Sequence, residues 1–188
     1  MFSIEIKRLY WLGDNDDEPM DLCLHGELSV RIGDELIEAS CTVSVTALYL
    51  LRTLTEDYTP GCYHPGCSQI MPCCGHTMFA NEKTESVEIL GCGYGEEWAV
   101  HHARKSVELM TEQGTRTLVP LEEYRETVLA FADQVLAYYM QCRPKILPEE
   151  DFERDGYLAF WREWARRRDI AVEDTPIGAA FLPPEETT

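Results

Sequence analysis

The segment from residue 22 to residue 45 constrains the fold most, because apolar and polar residues alternate along it on both sides of a tight turn. Period-two alternation is typical of a β-strand with one buried face. Gly33-Asp34 forms a natural two-residue hairpin turn, since glycine adopts a positive φ at little cost. If Ile32 lies opposite Glu35, the apolar pairs that follow are Val30 with Ile37, Leu28 with Ala39, Gly26 with Cys41 and Leu24 with Val43. The pattern therefore predicts a long antiparallel hairpin with one dry face and one solvated face.

The other periodicities predict three helices and further antiparallel strands. Alternation predicts strands near residues 2–6, 87–91, 97–109 and 115–119. Helical spacing predicts helices at residues 46–57, 120–142 and 156–168, and Pro120 suits the first position of the second helix because its φ is fixed. We expect one α+β domain over residues 1–174, with helices packed on the dry face of an antiparallel sheet of about five or six strands. A loose tail is expected at residues 175–188.

The charge balance indicates which partners the chain favours. The 188 residues include 16 basic and 34 acidic side chains, so the formal net charge is −18. Such a surface repels phosphate backbones and accelerates association with basic proteins. The sequence lacks an apolar run long enough for a membrane helix, and residues 1–17 lack the pattern of a secretory signal. We therefore expect a cytoplasmic protein that binds neither nucleic acid nor membranes.

Acidic residues cluster in several predicted surface loops. The carboxylates that we expect to contact a basic partner are Asp14, Asp16, Asp17, Glu18, Glu96, Glu97, Glu149, Glu150 and Asp151. A protein that must capture a basic nuclease or toxin quickly benefits from such a surface. Solubility alone, or adaptation to salt, is the alternative explanation of the acidity.

Cysteines and histidines crowd into a proline- and glycine-rich stretch, within a predicted irregular segment at residues 58–85. Thiolate and imidazole ligands for zinc are offered there by Cys62, Cys67, Cys73, Cys74 and His76, with His64 as a further donor. A bound zinc would cross-link a loop that has few apolar residues. The spacing lacks the Cys-x2-Cys pair of zinc fingers and ribbons, so we favour reduced thiols packed against the sheet and expect no cofactor. Zinc binding and a redox or disulfide role are the alternatives.

A cysteine–histidine pair is the enzymatic alternative for the same residues. Cys73 or Cys74 with His76, His101 or His102 would form such a dyad, because a nearby imidazole stabilises a thiolate. His101 and His102 are adjacent on a predicted strand, so they point to opposite faces. The standard phosphate-loop, nucleophile-elbow and zinc-protease motifs do not occur in the sequence, and we expect a protein that is not an enzyme.

Two further sets of residues have the right chemistry for a site in an unfavourable context. Asp21, Cys23 and His25 occupy alternate positions, as metal ligands on a strand would, but we favour the solvated face of a sheet. The run from Gly91 to Gly95 resembles half of a dinucleotide-binding motif. It lies between predicted antiparallel strands instead of opening a helix, so it fails as a nucleotide site.

Four segments carry a resemblance to known proteins: Asp21-Leu-Cys-Leu-His25-Gly26, Pro72-Cys-Cys-Gly-His76, Gly91-Cys-Gly-Tyr-Gly-Glu-Glu-Trp98 and Phe160-Trp-Arg-Glu-Trp164. With them the chain resembles small uncharacterised bacterial proteins. It is also similar in size, charge and α+β layout to immunity proteins that neutralise polymorphic toxins. The resemblance implies a non-enzymatic binding protein whose partner is a basic toxin domain. A zinc-stabilised interaction module at residues 60–76 and a cysteine-dependent enzyme are the alternatives.

Overall fold

The structure is a computed structural model that describes residues 1–13, 17–61, 69–73, 77–91 and 93–178. Along these residues three strands precede the first helix, seven strands follow it, and two helices come last, as expected for an α+β fold. The elements are β1 (Phe2–Tyr10), β2 (His25–Ile32), β3 (Glu35–Thr42), α1 (Val43–Arg52), β4 (Met71–Pro72), β5 (Thr77–Asn81), β6 (Ser86–Leu90), β7 (Gly95–Glu96), β8 (Trp98–Ala103), β9 (Ser106–Thr111), β10 (Arg116–Pro120), α2 (Leu121–Gln141), α3 (Asp151–Arg168) and a 3-10 turn (Val172–Asp174).

The described strands form four small antiparallel sheets instead of one sheet of five or six strands. Two sheets are three-stranded, in the orders β1-β2-β3 and β10-β9-β8, while β4 pairs with β7 and β5 pairs with β6. The predicted α+β class is confirmed, because every pairing is antiparallel and the helices pack against the strands. Alternation identifies strands but not the partner of each strand, so the division into separate sheets was not visible in the sequence.

The β2–β3 hairpin has the predicted register over most of its length. Ile32 lies opposite Glu35, and the pairing continues in step to His25 opposite Thr42. Gly33 has a φ of 61° at the first turn position, as a type II′ turn requires. The predicted pair of Leu24 with Val43 does not form, because Val43 already begins α1.

The helix α1 begins at residue 43 and ends at residue 52, whereas the predicted helix covered residues 46–57. Its side chains from residue 43 to residue 51 are all buried. Residues 41–46 read Cys-Thr-Val-Ser-Val-Thr and so continue the apolar–polar alternation of β3 into the helix, and because Ser44 and Thr46 are buried the first turn has no solvated face. The first turn of α1 was therefore assigned to the preceding strand.

The helices α2 and α3 pack against the strands and cover the core: α2 contacts β1, β9 and β10, and α3 contacts β5 and β6. α2 ends within one residue of the predicted boundary, at Gln141. α3 begins at Asp151, earlier than the predicted start at Gly156, and its first turn carries acidic side chains that the helix dipole favours. Gly156 lies where α3 crosses β5, and a Cβ atom there would overlap the carbonyl oxygen of Met78.

Three further sequence assignments need correction. The predicted strand at residues 97–109 is two strands, since a turn at Arg104, with a φ of 49°, separates β8 from β9. The predicted irregular segment 58–85 contains β4 and β5. Thr175 and Ile177 are buried, so packed structure continues beyond residue 174, and residues 179–188 of the predicted tail lie outside the described residues.

No helix in the described part of the chain has both the length and the apolar composition needed to cross a bilayer. The core instead lies between the sheets and the three helices, where the largest fully buried side chains include Trp98, Trp161 and Trp164. The rings of Trp161 and Trp164 form a chain of contacts with those of Tyr139 and Phe160, and the centroids of Trp161 and Trp164 are 5.1 Å apart. Aromatic packing of this kind gives the small sheets a common rigid support.

Candidate functional site

A surface groove of about 240 Å³ runs beside β3. One wall is the first half of β3, and the others come from the end of β7 and from the turn after β9. The residues that line it are Glu35, Leu36, Ile37, Glu38, Glu96, Glu97, Thr111, Glu112 and Gln113. Five of these nine side chains are glutamates, and the described lining contains no lysine, arginine or histidine. We call this feature the acidic groove.

Two tight turns and one close backbone contact bring its distant segments together. The turn at Gly33 starts β3, and a turn with Gly114 at a φ of 88° follows Glu112. Gly95 packs so closely on Met71 that a side chain there would overlap the Met71 carbonyl oxygen. That contact allows the short pairing of β4 with β7, which places Glu96 at the groove.

Two of the groove glutamates accept hydrogen bonds from neutral hydroxyl groups. Thr111 Oγ1 donates a hydrogen bond of 2.6 Å to Glu35, and the Tyr58 hydroxyl donates one of 2.7 Å to Glu97. Tyr58 is itself fixed by a pair of 2.8 Å main-chain hydrogen bonds with Val100. These hydroxyls orient the carboxylates without neutralising them.

The charge of the groove is not compensated within the described part of the chain. The ion pairs found there involve other carboxylates, and none includes any of the five groove glutamates. Glu38, Glu96 and Glu112 are exposed to solvent. Like charges that share one concave surface reinforce each other's potential, so the groove attracts cations.

The structure places the sequence-predicted contact residues in different settings. Glu96 and Glu97 lie in the acidic groove. Asp17 follows β1 in the chain and lies beside the segment after α2. Arg143 in that segment donates a main-chain hydrogen bond of 2.9 Å and a side-chain hydrogen bond of 3.3 Å to its carboxylate. The main-chain hydrogen bond from Arg143 is the principal reason that the pKa of Asp17 is lowered. Glu18 accepts a hydrogen bond of 3.1 Å from the Met20 amide.

The third acidic set lies at the start of α3. Glu150 is the N-cap residue of this helix, and Asp151 is in its first turn. Asp151 pairs with Arg154 at 2.7 Å, so part of the charge near Glu149 is already balanced. Asp14 and Asp16, also predicted as contact residues, lie outside the described residues.

Sequence reasoning missed Glu35, Glu38 and Glu112 as groove residues. They are single glutamates in strands and turns, whereas the predicted contact residues lie in runs of acidic residues. The signal that was available is the polar face of β3 in the predicted hairpin, which carries Glu38. The meeting of β3 with the turn after β9 is a long-range contact that periodicity cannot reveal.

Asp21, Cys23 and His25 do not form a solvated strand face, so the favoured interpretation of this set was wrong. Cys23 and His25 are buried, and Asp21 precedes β2. Asp21 accepts main-chain hydrogen bonds from Leu12 and Cys23 at 2.6 Å and 3.1 Å and lies 3.6 Å from His25 Nε2. Burial alone would raise the pKa of Asp21, but the contact with the His25 side chain and the two main-chain hydrogen bonds together outweigh it, so the pKa is lowered. The carboxylate therefore joins the chain after β1 to the start of β2.

His101 and His102 contact different partners, as expected for neighbours on a strand. His101 Nε2 lies 3.1 Å from the Thr59 hydroxyl, and His102 Nδ1 lies 2.8 Å from Asp57. Asp57 also accepts the main-chain N–H of His102 at 2.9 Å, and this bond is the largest cause of the lowered pKa of Asp57. The two contacts tie the segment after α1 to β8.

Most of the predicted zinc ligands, namely Cys62, Cys67, Cys74 and His76, lie outside the described residues, as does His64. Cys73 is exposed, and its amide donates a 2.9 Å hydrogen bond to the Tyr94 carbonyl. Among the residues that the structure describes, no group of three or more His, Cys, Asp or Glu side chains is arranged to hold a metal ion. Burial raises the pKa of Cys41 to about 11, the opposite of what a nucleophilic thiolate requires.

No protein-family model, curated protein or solved structure matches this chain. Its function is therefore inferred from its own geometry and charge.

Proposed function

We propose that this protein is a non-enzymatic binding protein that captures a basic protein partner through the acidic groove. The composition of the groove carries this proposal, because five glutamates line it without a described basic residue. A toxin domain held by an immunity protein is the partner class favoured by the chain's size, its charge of −18 and its α+β layout.

The groove offers a partner both charge and apolar contact. Leu36 keeps 46% of its surface exposed beside the glutamates, and buried Ile37 forms part of the wall. An apolar centre with a charged rim is the usual composition of a protein interface. The remaining surface carboxylates extend the negative field beyond the groove and steer a cationic partner toward the protein.

A binding assay with a defined cationic probe tests the proposal. The probe is a short fluorescent peptide of alternating lysine and valine, and a glutamate–valine peptide serves as its control. Fluorescence anisotropy is measured at about 0.01 M and about 1 M salt, between which the Debye length falls from about 30 Å to about 3 Å. We expect the lysine peptide to bind at low salt and to be released at high salt, while the glutamate peptide does not bind.

A charge-neutralised variant locates the binding to the groove. Glu38→Gln, Glu96→Gln and Glu112→Gln are combined, and each exposed ion pair lost costs about 0.2–1 kcal/mol, so affinity falls by roughly 0.6–3 kcal/mol. The matched control combines Glu82→Gln, Glu126→Gln and Glu173→Gln, which are exposed glutamates on other elements. Equal losses in the two variants, or binding that ignores salt, would contradict the proposal.

A further inference from the structure

The strand β3 lies at the edge of its sheet, and among the residues that the structure describes nothing pairs with the outward main-chain groups of its first six residues. A two-residue turn makes Ile32 and Glu35 a hydrogen-bonded pair, and hydrogen-bonded pairs recur at every second residue of an antiparallel ladder. The N–H and C=O groups of Leu36, Glu38 and Ser40 therefore point away from β2. Within the described part of the chain, no strand pairs with β3 on that side and no other main-chain hydrogen bond involves these three residues.

The same three positions are exposed to solvent. Natural proteins protect such edges with lysine, proline, a bulge or a covering segment, because an open edge pairs readily with another strand. β3 contains no lysine, arginine or proline, and its pairing with β2 shows no register shift. The short strands β4 and β7 lie near β3 but do not pair with it. Within the described part of the chain, the main-chain groups of Leu36, Glu38 and Ser40 are therefore left able to accept a strand.

The charge around this edge selects the kind of strand that pairs with it. The acidic groove lies along Glu35–Glu38, with Glu96, Glu97 and Glu112 on its other side. Of the other outer strands of the two three-stranded sheets, β1 and β10 carry Lys7, Arg8 and Arg116, which repel a cationic segment, and β8 carries two histidines and no acidic side chain. Only acidic charges occur on β3.

We propose that the partner binds by strand addition to β3. An extended segment of the partner, with lysine or arginine at alternate positions, forms main-chain hydrogen bonds with Leu36, Glu38 and Ser40. Because alternate side chains of a strand point to one face, its cations all reach the acidic groove together. This inference rests on the proposed function of the groove and adds the conformation of the bound segment to it.

Amide hydrogen exchange measured by NMR tests the main-chain pairing. The full-length protein is saturated with the lysine–valine peptide at low salt. We expect exchange at Leu36, Glu38 and Ser40 to slow by about tenfold or more, because each amide gains a hydrogen-bond partner. The amides of Ile37 and Ala39 already pair with β2 and serve as the internal control.

A proline substitution tests the same contact by affinity. Ser40→Pro removes one outward N–H, and proline is tolerated on a strand edge that faces solvent. Ser40→Ala removes the same side chain and keeps the N–H. We expect Ser40→Pro to bind the peptide roughly two- to tenfold more weakly than Ser40→Ala, as the loss of one main-chain hydrogen bond predicts.

The outcomes separate this inference from the proposed function. If binding is lost in the groove glutamine variant but exchange at Leu36, Glu38 and Ser40 is unchanged, the groove binds cations and strand addition is wrong. If the peptide does not bind wild-type protein at low salt, both proposals are wrong. If Ser40→Pro does not fold, the exchange measurement on wild-type protein decides.

Discussion

Replacing Glu163 with glutamine removes the charge at the centre of a buried ion network. The Glu163 carboxylate is fully buried, and it accepts hydrogen bonds from Arg52 at 2.9 Å and 2.8 Å, from Arg167 at 2.7 Å and from the main-chain N–H of Val87 at 2.9 Å. These bonds join α3 to α1 and to β6. Glutamine has nearly the same volume, but it is neutral, and an NH2 group takes the place of one of the carboxylate oxygens that face the guanidinium groups.

The expected cost follows from the burial of the pair. Arg52 is 19% exposed and keeps one 2.6 Å hydrogen bond to the Val87 carbonyl, so its charge stays largely buried without a counter-ion. Removing one partner of a buried pair costs about 3–5 kcal/mol of unfolding free energy. Glu56 provides the matched control, because it pairs with Arg167 at 2.6 Å but is 57% exposed. Glu56→Gln is expected to cost less than about 1 kcal/mol.

The loss of unfolding free energy in Glu163→Gln also depends on pH, and the direction of the shift in the pKa of Glu163 decides whether the loss grows or shrinks in acid. Burial is the largest single influence and raises this pKa, but the hydrogen bonds and charges of Arg52, Val87 and Arg167 together outweigh it and lower the pKa below its ordinary value of 4.5. A carboxyl with a lowered pKa stabilises the fold above its ordinary value, and this stabilisation is lost as pH falls through the lowered value. The difference between wild type and Glu163→Gln is therefore largest near neutral pH and shrinks in acid.

Urea unfolding followed by tryptophan fluorescence, at neutral pH and in acid, measures both effects. We expect Glu163→Gln to lose several times more stability than Glu56→Gln at neutral pH, and the gap between wild type and Glu163→Gln to narrow in acid. Equal losses in the two variants, or a gap that does not change with pH, would refute the assignment of a charged, stabilising Glu163.

Three other predictions concern packing, thiols and metal. Gly156→Ala should destabilise the protein by about 1–3 kcal/mol because its methyl group meets the Met78 carbonyl; an unchanged thermal midpoint would contradict that contact. Iodoacetamide should modify exposed Cys73 and leave Cys41 unmodified in the native protein, as mass spectrometry would show, since burial raises the pKa of Cys41 to about 11; equal labelling would argue against this burial. Elemental analysis of protein purified without chelator should show no stoichiometric zinc, whereas a full equivalent would support the zinc-stabilised module at residues 60–76.

The sequence was most informative where local patterns decide the structure. The turn at Gly33 together with alternation predicted the β2–β3 register, because a slip of one residue would expose the apolar face. The regular stripe of α2 predicted its bounds closely. The start of α1 was missed because Val-Ser-Val-Thr at residues 43–46 continues the alternation of β3, and the turn at Arg104 was missed because neither glycine nor proline marks it.

The candidate site was less predictable because it depends on contacts between distant segments. Glu96 and Glu97 were predicted as contact residues from an acidic pair, and the structure places them in the acidic groove. Glu35 and Glu112 join them only because β3 packs beside the turn after β9, as the bond from Thr111 to Glu35 shows. The burial of His25 was missed for the same reason, since the Tyr10 ring that stacks on its imidazole belongs to the preceding strand β1.

NMR chemical-shift mapping of the lysine–valine peptide on isotopically labelled protein decides whether the acidic groove is the surface that binds a cationic segment. We expect the perturbed amides to concentrate at residues 35–40, 95–98 and 111–113. Perturbations centred on residues 17–18 or 149–153, or spread evenly over the acidic surface, would contradict this expectation.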